Sequence, residues 1–318
     1  MKALVTTTSF LKPANAAANA RLKEHFDKVV YNDLGVPLKG DEILTRLEGC
    51  DAYIAGLDYI TADVIEKMPA SVKVISRYGV GVDRVDLEAT SKRGIVVTNT
   101  PGANSISVAE LAFGMMLCAA RNIPQLHEAV TASEWPRSEG IELAGKVLGI
   151  VGMGAIGKLL AVRAKAFGME VMAYDPFFDE KFAQEHDVKR MDVHELLRSA
   201  DVISLHVPLN DETRHMVSRE VIAEMKKGAI IINTARGGLI DEEAAAEAIR
   251  NGHLGGLGLD AFEQEPLVDS PLKGLPNVIF TPHTGAHTAE AVSKMGMMAV
   301  ENAIAIVEGQ PCRFIRNK

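Results

Sequence analysis

The chain has 318 residues, 47% of them hydrophobic and 24% charged, and carries a net charge of −8. That length suggests two domains, and the acidic balance argues against a general nucleic-acid binder or a ligand of anionic membranes, while leaving room for a local basic pocket. Cys50, Cys118 and Cys312 are odd in number and far apart. They fit neither a disulfide framework nor a zinc site, so no metal is expected and a reducing cytoplasm is the expected location.

The chain opens on Met1-Lys2-Ala3-Leu4-Val5-Thr6, which reads as a first strand and not as a secretory signal. No apolar run approaches the about 20 residues that a membrane helix needs. Strand-like runs follow at 29–32, 52–55, 72–76 and 95–98, then a long apolar helix at 104–121. A second series occupies 147–151, 170–174, 201–207, 229–233, 256–260 and 277–281, and a last long helix covers 288–308. Helix-like Ala-, Leu-, Glu- and Lys-rich segments separate the runs, and this alternation predicts an α/β fold with parallel sheets covered on both faces. Gly228-Ala229-Ile230-Ile231-Ile232 is continuously apolar, as expected of a strand buried on both sides. Breaks at Thr100-Pro101-Gly102 and His283-Thr284-Gly285-Ala286 bracket the second series. They predict two doubly wound parallel-sheet domains. A Rossmann nucleotide-binding domain (102–286) is inserted in a flavodoxin-like substrate domain made of 1–101 and 287–318.

The strongest local signal is Lys146-Val147-Leu148-Gly149-Ile150-Val151-Gly152-Met153-Gly154-Ala155-Ile156-Gly157. A strand runs into Gly-x-Gly-x-x-Gly and a helix follows. Gly152 allows the tight turn, Gly154 lets a pyrophosphate approach the backbone, and Gly157 permits close helix–strand packing. The freed N–H groups and the helix dipole then hold the phosphates. Asp175 stands 23 residues after Gly152, at the end of the next strand. Its carboxylate can accept from the ribose hydroxyls and would repel a 2′-phosphate, which favours NAD over NADP.

Three later segments place polar residues just after apolar strands, where open α/β sheets bind ligands. They are Asn233-Thr234-Ala235-Arg236-Gly237, Asp260-Ala261-Phe262-Glu263-Gln264-Glu265-Pro266 and Thr281-Pro282-His283-Thr284. Singly, Arg236 reads as a turn arginine, Glu265 as a solvated acid and His283 as a satisfied loop histidine. Jointly, behind a nucleotide motif, they supply what hydride transfer at C2 of a 2-hydroxy acid needs. A guanidinium grips the carboxylate, a proton donor serves the carbonyl oxygen, and an acid orients that donor.

With these motifs the chain resembles the D-isomer-specific 2-hydroxyacid dehydrogenases over essentially its whole length, including Ser76-Arg77-Tyr78-Gly79-Val80-Gly81-Val82-Asp83 and Asn99-Thr100-Pro101. The resemblance implies Arg236 as carboxylate anchor, His283 as acid–base group and Glu265 as its partner, stabilising the imidazolium. Arg77, Tyr78, Gly79, Val80 and Gly81 would meet the substrate. Gly152, Gly154, Ala155, Ile156, Gly157, Asp175, Val207, Thr234, Ala235, Asp260 and Ala286 would line NAD. Asp83 and Asp86 read as structural, and His206 as a neighbour of the cofactor pocket. The expected partner is a small 2-hydroxy or 2-keto acid, with no nucleic acid or membrane, in a homodimer whose interface candidates are the helix from Asn104 and the segment Arg121 to Trp135.

Two departures bear on affinity and substrate. Ala155 stands where many members carry Arg, which removes a charged contact to the pyrophosphate. The stretches around Asn99–Ser105 and Ala109-Glu110-Leu111 look closest to 3-phosphoglycerate dehydrogenases, yet no cation occupies the place of Ala55, before Thr61-Ala62-Asp63-Val64-Ile65. With the sequence ending at Lys318, no appended regulatory domain is expected. 3-Phosphoglycerate is the leading substrate and glyoxylate or hydroxypyruvate the alternative. Oxidation of a small anion such as phosphite or formate, and an NAD-sensing corepressor, are the competing readings.

Overall fold

The computed structural model describes residues 1–317; Lys318, the last residue of the expected outer segment, lies outside them. Two compact units form, Met1–Asn104 with Ala286–Lys318, and Ser105–Gly285. Residues 102–104 and Ala286 thus go with the discontinuous unit. The reason is packing: Ala103 is buried in that unit's core and Ala286 lies against it.

The discontinuous unit holds five strands: β1 (Lys2–Val5), β2 (Lys28–Tyr31), β3 (Ala52–Ala55), β4 (Val74–Arg77) and β5 (Val96–Thr98). All pair in parallel, in the order β2-β1-β3-β4-β5. This is the flavodoxin-like order. Successive strand residues point to opposite faces, so Ala3 and Val5 join one core and Leu4 the other. Helices α1 (Ala16–His25), α2 (Asp41–Leu47), α3 (Ala62–Lys67) and α4 (Leu87–Lys92) occupy the connections. Leu22 of α1 packs with Val5 and Ile54, while Ile43 of α2 and Ile65 of α3 pack with Tyr53 and Ile75.

The continuous unit begins with α5 (Ser105–Ala120) and α6 (Ile123–Thr131). Its seven strands are β6 (Val147–Val151), β7 (Glu170–Tyr174), β8 (Val188–Arg190), β9 (Val202–Leu205), β10 (Ala229–Asn233), β11 (Leu254–Leu259) and β12 (Val278–Phe280). They pair in parallel as β12-β11-β10-β9-β6-β7-β8. Between them lie α7 (Ala155–Ala166), α8 (Glu180–His186), α9 (Val193–Ser199), α10 (Arg219–Glu224) and α11 (Glu242–Arg250); the last helix of the chain, α12 (Ala289–Val307), returns to the discontinuous unit and packs with α1 there. Leu148, Ile150 and Ile232 face α5 and α7, whereas Val151, Leu205 and Ile231 face α9 to α11. Strand order reverses between β6 and β9, which marks their carboxyl ends as the ligand-binding switch point of the sheet.

The short edge strand β8 is not foreseen by the sequence. Val188-Lys189-Arg190 exposes its two cations and has no apolar run to announce it. Among the described residues no single helix is long and apolar enough to cross a membrane. The bent pair α5 and α6 passes by composition, but α5 is largely core.

Candidate active site

At the switch point the chain leaves β6 through Gly152, whose φ of +102° suits only glycine. A Cβ there would stand 2.6 Å from the carbonyl oxygen of His206, just beyond β9. Gly157 has no room for a side chain either, because a Cβ would collide with the Gly152 carbonyl. A Cβ on Gly154, by contrast, meets nothing within 4 Å. Gly154 is also the N-cap of the 12-residue helix α7 and offers no side chain to its first N–H groups. Tight closure behind, open space in front and an uncapped helix start together fit a dinucleotide pyrophosphate. Ala155 and Ile156 open that helix and are not fully buried.

Asp175 follows β7, and its carboxylate accepts from the N–H of Met153 at 2.7 Å and of Phe177 at 2.7 Å. It therefore braces the glycine turn itself. Each oxygen keeps a second lone pair, so ribose hydroxyls can still donate to it. Thr234 lies beyond β10 with a buried Oγ1 that has no partner among the described residues, and Ala235 follows it, half-buried. Val207 follows His206. The His206 Nε2 pairs with Ser204 Oγ at 2.9 Å, while Nδ1 is shut off from solvent. Burial pushes this imidazole down to about 4 and keeps it neutral.

Arg236, Glu265 and His283 follow β10, β11 and β12, three neighbouring parallel strands, all beyond their carboxyl ends. Asn233, fully buried at the end of β10, wraps the first turn: its Nδ2 donates to the Arg236 carbonyl at 2.7 Å and its Oδ1 accepts from Ala235 N–H at 3.0 Å. Arg236 Nη1 donates to the Ala235 carbonyl at 2.7 Å. His283 Nδ1 meets Glu265 Oε1 at 2.9 Å, with both side chains mostly shielded. The same oxygen accepts from Phe262 N–H at 3.3 Å, and the rings of Phe262 and Phe280 pack at 5.7 Å, tying the Glu265 loop to β12.

His283 has a φ of +52°, which costs a non-glycine residue about 1–2 kcal/mol. Asp260 holds the loop in that shape. Only 1% exposed, its carboxylate accepts from Thr281 Oγ1 at 2.5 Å, Thr284 N–H at 2.7 Å and Gly285 N–H at 2.8 Å. Ser107 at the start of α5 adds a bond to the Gly285 carbonyl at 2.5 Å.

Ala286 and the Arg77–Gly81 stretch belong to the discontinuous unit. Arg77, buried at the end of β4, donates through Nη1 to the Ala55 carbonyl at 2.6 Å and through Nε to that of Gly81 at 3.1 Å. Thr100 N–H donates to the Gly79 carbonyl at 3.0 Å and Asn99 Nδ2 to that of Val80 at 2.7 Å. With three carbonyls anchored, planar trans peptides turn the following N–H groups the opposite way. Tyr78 N–H donates to Ala55, and its hydroxyl donates to the Val292 carbonyl at 2.9 Å. Arg77 thus shapes the loop through its guanidinium. The sequence pattern showed the residue but not this use of it.

The family model "D-isomer specific 2-hydroxyacid dehydrogenase, NAD binding domain" matches residues 113–285. A D-3-phosphoglycerate dehydrogenase of Methanocaldococcus jannaschii is 47% identical over 90% of this chain and 55% of its own length. A glyoxylate reductase of Korarchaeum cryptofilum is 39% identical over 92% of this chain and 90% of its own. The chain spans about half the length of the phosphoglycerate dehydrogenases it matches. A crystal structure of a Thermus thermophilus protein, 39% identical, superposes with a TM-score of 0.87 over 99% of both chains. Glycine motif, strand order and these likenesses agree: the chain belongs to the D-isomer-specific 2-hydroxyacid dehydrogenase family, with its NAD-binding domain in the continuous unit.

Proposed function

We propose that this chain interconverts a small D-2-hydroxy acid and its 2-keto acid with NAD, and that 3-phosphoglycerate is its leading substrate. When bound, NAD(H) exchanges a hydride with the C2 carbon. The protein's own groups supply the rest. Arg236 grips the substrate carboxylate through two parallel N–H bonds and draws electron density from the carbonyl. His283 gives the proton from Nε2 to the carbonyl oxygen in reduction and takes it from the hydroxyl in oxidation. Glu265, bonded to Nδ1, fixes the ring and leaves Nε2 for the substrate. Gly152, Gly154, Ala155, Ile156, Gly157, Val207, Thr234, Ala235, Asp260 and Ala286 line the cofactor, with Asp175 on the adenosine ribose. Gly79 to Gly81 supply main-chain N–H groups to the substrate, while the Tyr78 N–H, expected among them, is taken by the Ala55 carbonyl.

The observation that carries this reading is the 2.9 Å His283–Glu265 pair, beyond β12 and β11, the two strands that follow in sheet order the β10 that delivers Arg236. The phosphorylated substrate draws support from the 47% identical relative. A second reading, glyoxylate or hydroxypyruvate, is favoured by the buried Ala55 and by Arg77, whose Nη1 and Nε already donate to main-chain carbonyls. A panel of 2-keto acids, followed by loss of NADH absorbance, separates the two. Preference for 3-phosphohydroxypyruvate supports the first, preference for glyoxylate or hydroxypyruvate the second, and no turnover of any 2-keto acid defeats both.

A homodimer is part of the proposal. Helix α6 buries none of its residues, and Ile123 and Val130 stand exposed on it, with Trp135 beyond it at 77% exposure. The three cysteines are free thiols, which suits the proposed cytoplasmic setting.

A further inference from the structure

Glu242 is the first residue of α11, yet its side chain is only 8% exposed. A buried carboxyl is disfavoured unless something uses it. Here its Oε1 accepts from the main-chain N–H of Glu263 at 2.8 Å. Burial raises its pKa; the hydrogen bond from the Glu263 N–H opposes this, as do Ser270 and His215 more weakly, while the Glu263 carboxylate adds repulsion. The Glu263 side chain is itself held, by His215 Nε2 at 2.9 Å.

The same stretch of chain is gripped a second time. Gly237, next to Arg236, sits so close to the Phe262–Glu263 peptide that a Cβ would collide with it. Residues 237–242 therefore touch the 262–263 backbone at both ends, at Gly237 by contact and at Glu242 by a hydrogen bond. That backbone leads two residues later to Glu265. Arg236 immediately precedes the gripping segment and Glu265 stands two residues beyond the gripped peptide.

We infer that Gly237–Glu242 is a clamp setting the Glu265 loop relative to Arg236, and that Glu242 is a positioning residue for the His283–Glu265 pair. This rests on the acid–base reading above. Releasing the Glu263 N–H lets the loop drift, and a displacement of about 1 Å at a reacting group can cost about 100-fold in rate.

The test compares Glu242→Leu, which keeps bulk without an acceptor, with Glu242→Gln, whose amide oxygen can still accept. Each is assayed with NADH and whichever of 3-phosphohydroxypyruvate and hydroxypyruvate turns over faster. NADH affinity is measured by fluorescence, and kcat is followed against pH. The clamp predicts a kcat loss of about 10- to 100-fold in Glu242→Leu with NADH affinity within about twofold. Its pH profile should move toward that of Glu265→Gln, and Glu242→Gln should recover most of the loss. Unchanged kcat in Glu242→Leu, or a kcat that falls only in step with NADH affinity, overturns the inference. If Glu242→Leu does not fold, Glu242→Asp decides, because its carboxylate stops one methylene short: slower turnover at normal NADH affinity supports the clamp, and normal turnover overturns it. Glu265→Gln separates the layers. Full activity there defeats the acid–base reading, whereas a slow Glu265→Gln beside a normal Glu242→Leu defeats the clamp alone.

Discussion

Replacing Asp260 by Asn keeps shape and changes one bond. The remaining oxygen can still accept from Thr281 Oγ1 and Thr284 N–H, but the new NH2 faces the Gly285 N–H that now lies 2.8 Å from Oδ2. One bond to a charged acceptor is lost, worth about 1.5–3 kcal/mol, and a buried N–H is left unmatched. Relaxation of His283 from its φ of +52° returns about 1–2 kcal/mol, so a net loss of about 2–3 kcal/mol is expected. Relaxation is also the functional damage, because it moves the imidazole off Glu265; kcat should fall by about tenfold or more. Urea unfolding read on the transition of residues 105–285, together with kcat, measures both. An Asp260→Asn protein with the parent's urea midpoint and turnover would refute the idea that this carboxylate holds the His283 loop.

Arg236→Lys should reduce kcat/KM by about 100-fold or more, because a point charge cannot reproduce the two parallel bonds; an unaltered value discredits the carboxylate anchor. Asp175→Ala should relax the preference for NAD over NADP and loosen the glycine turn that Met153 anchors; an unchanged cofactor ratio rejects the ribose assignment. His206 predicts an acid-linked loss of stability. Its folded pKa of about 4 lies below the ordinary 6.5, so the unfolded chain takes up the proton first. Its contribution is present above pH 6.5 and lost as pH falls through 4, up to about 3 kcal/mol. His206→Gln should flatten that part of the stability–pH curve, and an identical curve counts against it.

The fold was legible wherever burial leaves a composition signature. β10, with five buried residues, and the glycine turn after β6 could be read directly. β8 could not, because an edge strand with two exposed cations has nothing to bury. The polar residues beyond β10, β11 and β12 were visible as types in a pattern. Their uses were less so. An acid at the start of a helix reads as a complement to the helix dipole, which hides Glu242 bonding across to the Glu263 backbone. Arg77 reads as a substrate cation, while its guanidinium reaches two main-chain carbonyls. Asp260 reads as a cofactor contact, and only the folded loop reveals three donors converging on it. Such roles depend on which backbone groups come close, and a linear pattern does not encode that.

The most direct test of the acid–base account is turnover by a His283→Ala variant with NADH binding measured on the same preparation. The account predicts that kcat falls by about 100-fold or more while NADH affinity stays close to the parent's. Turnover at the parent's rate would contradict it and remove His283 from the chemistry.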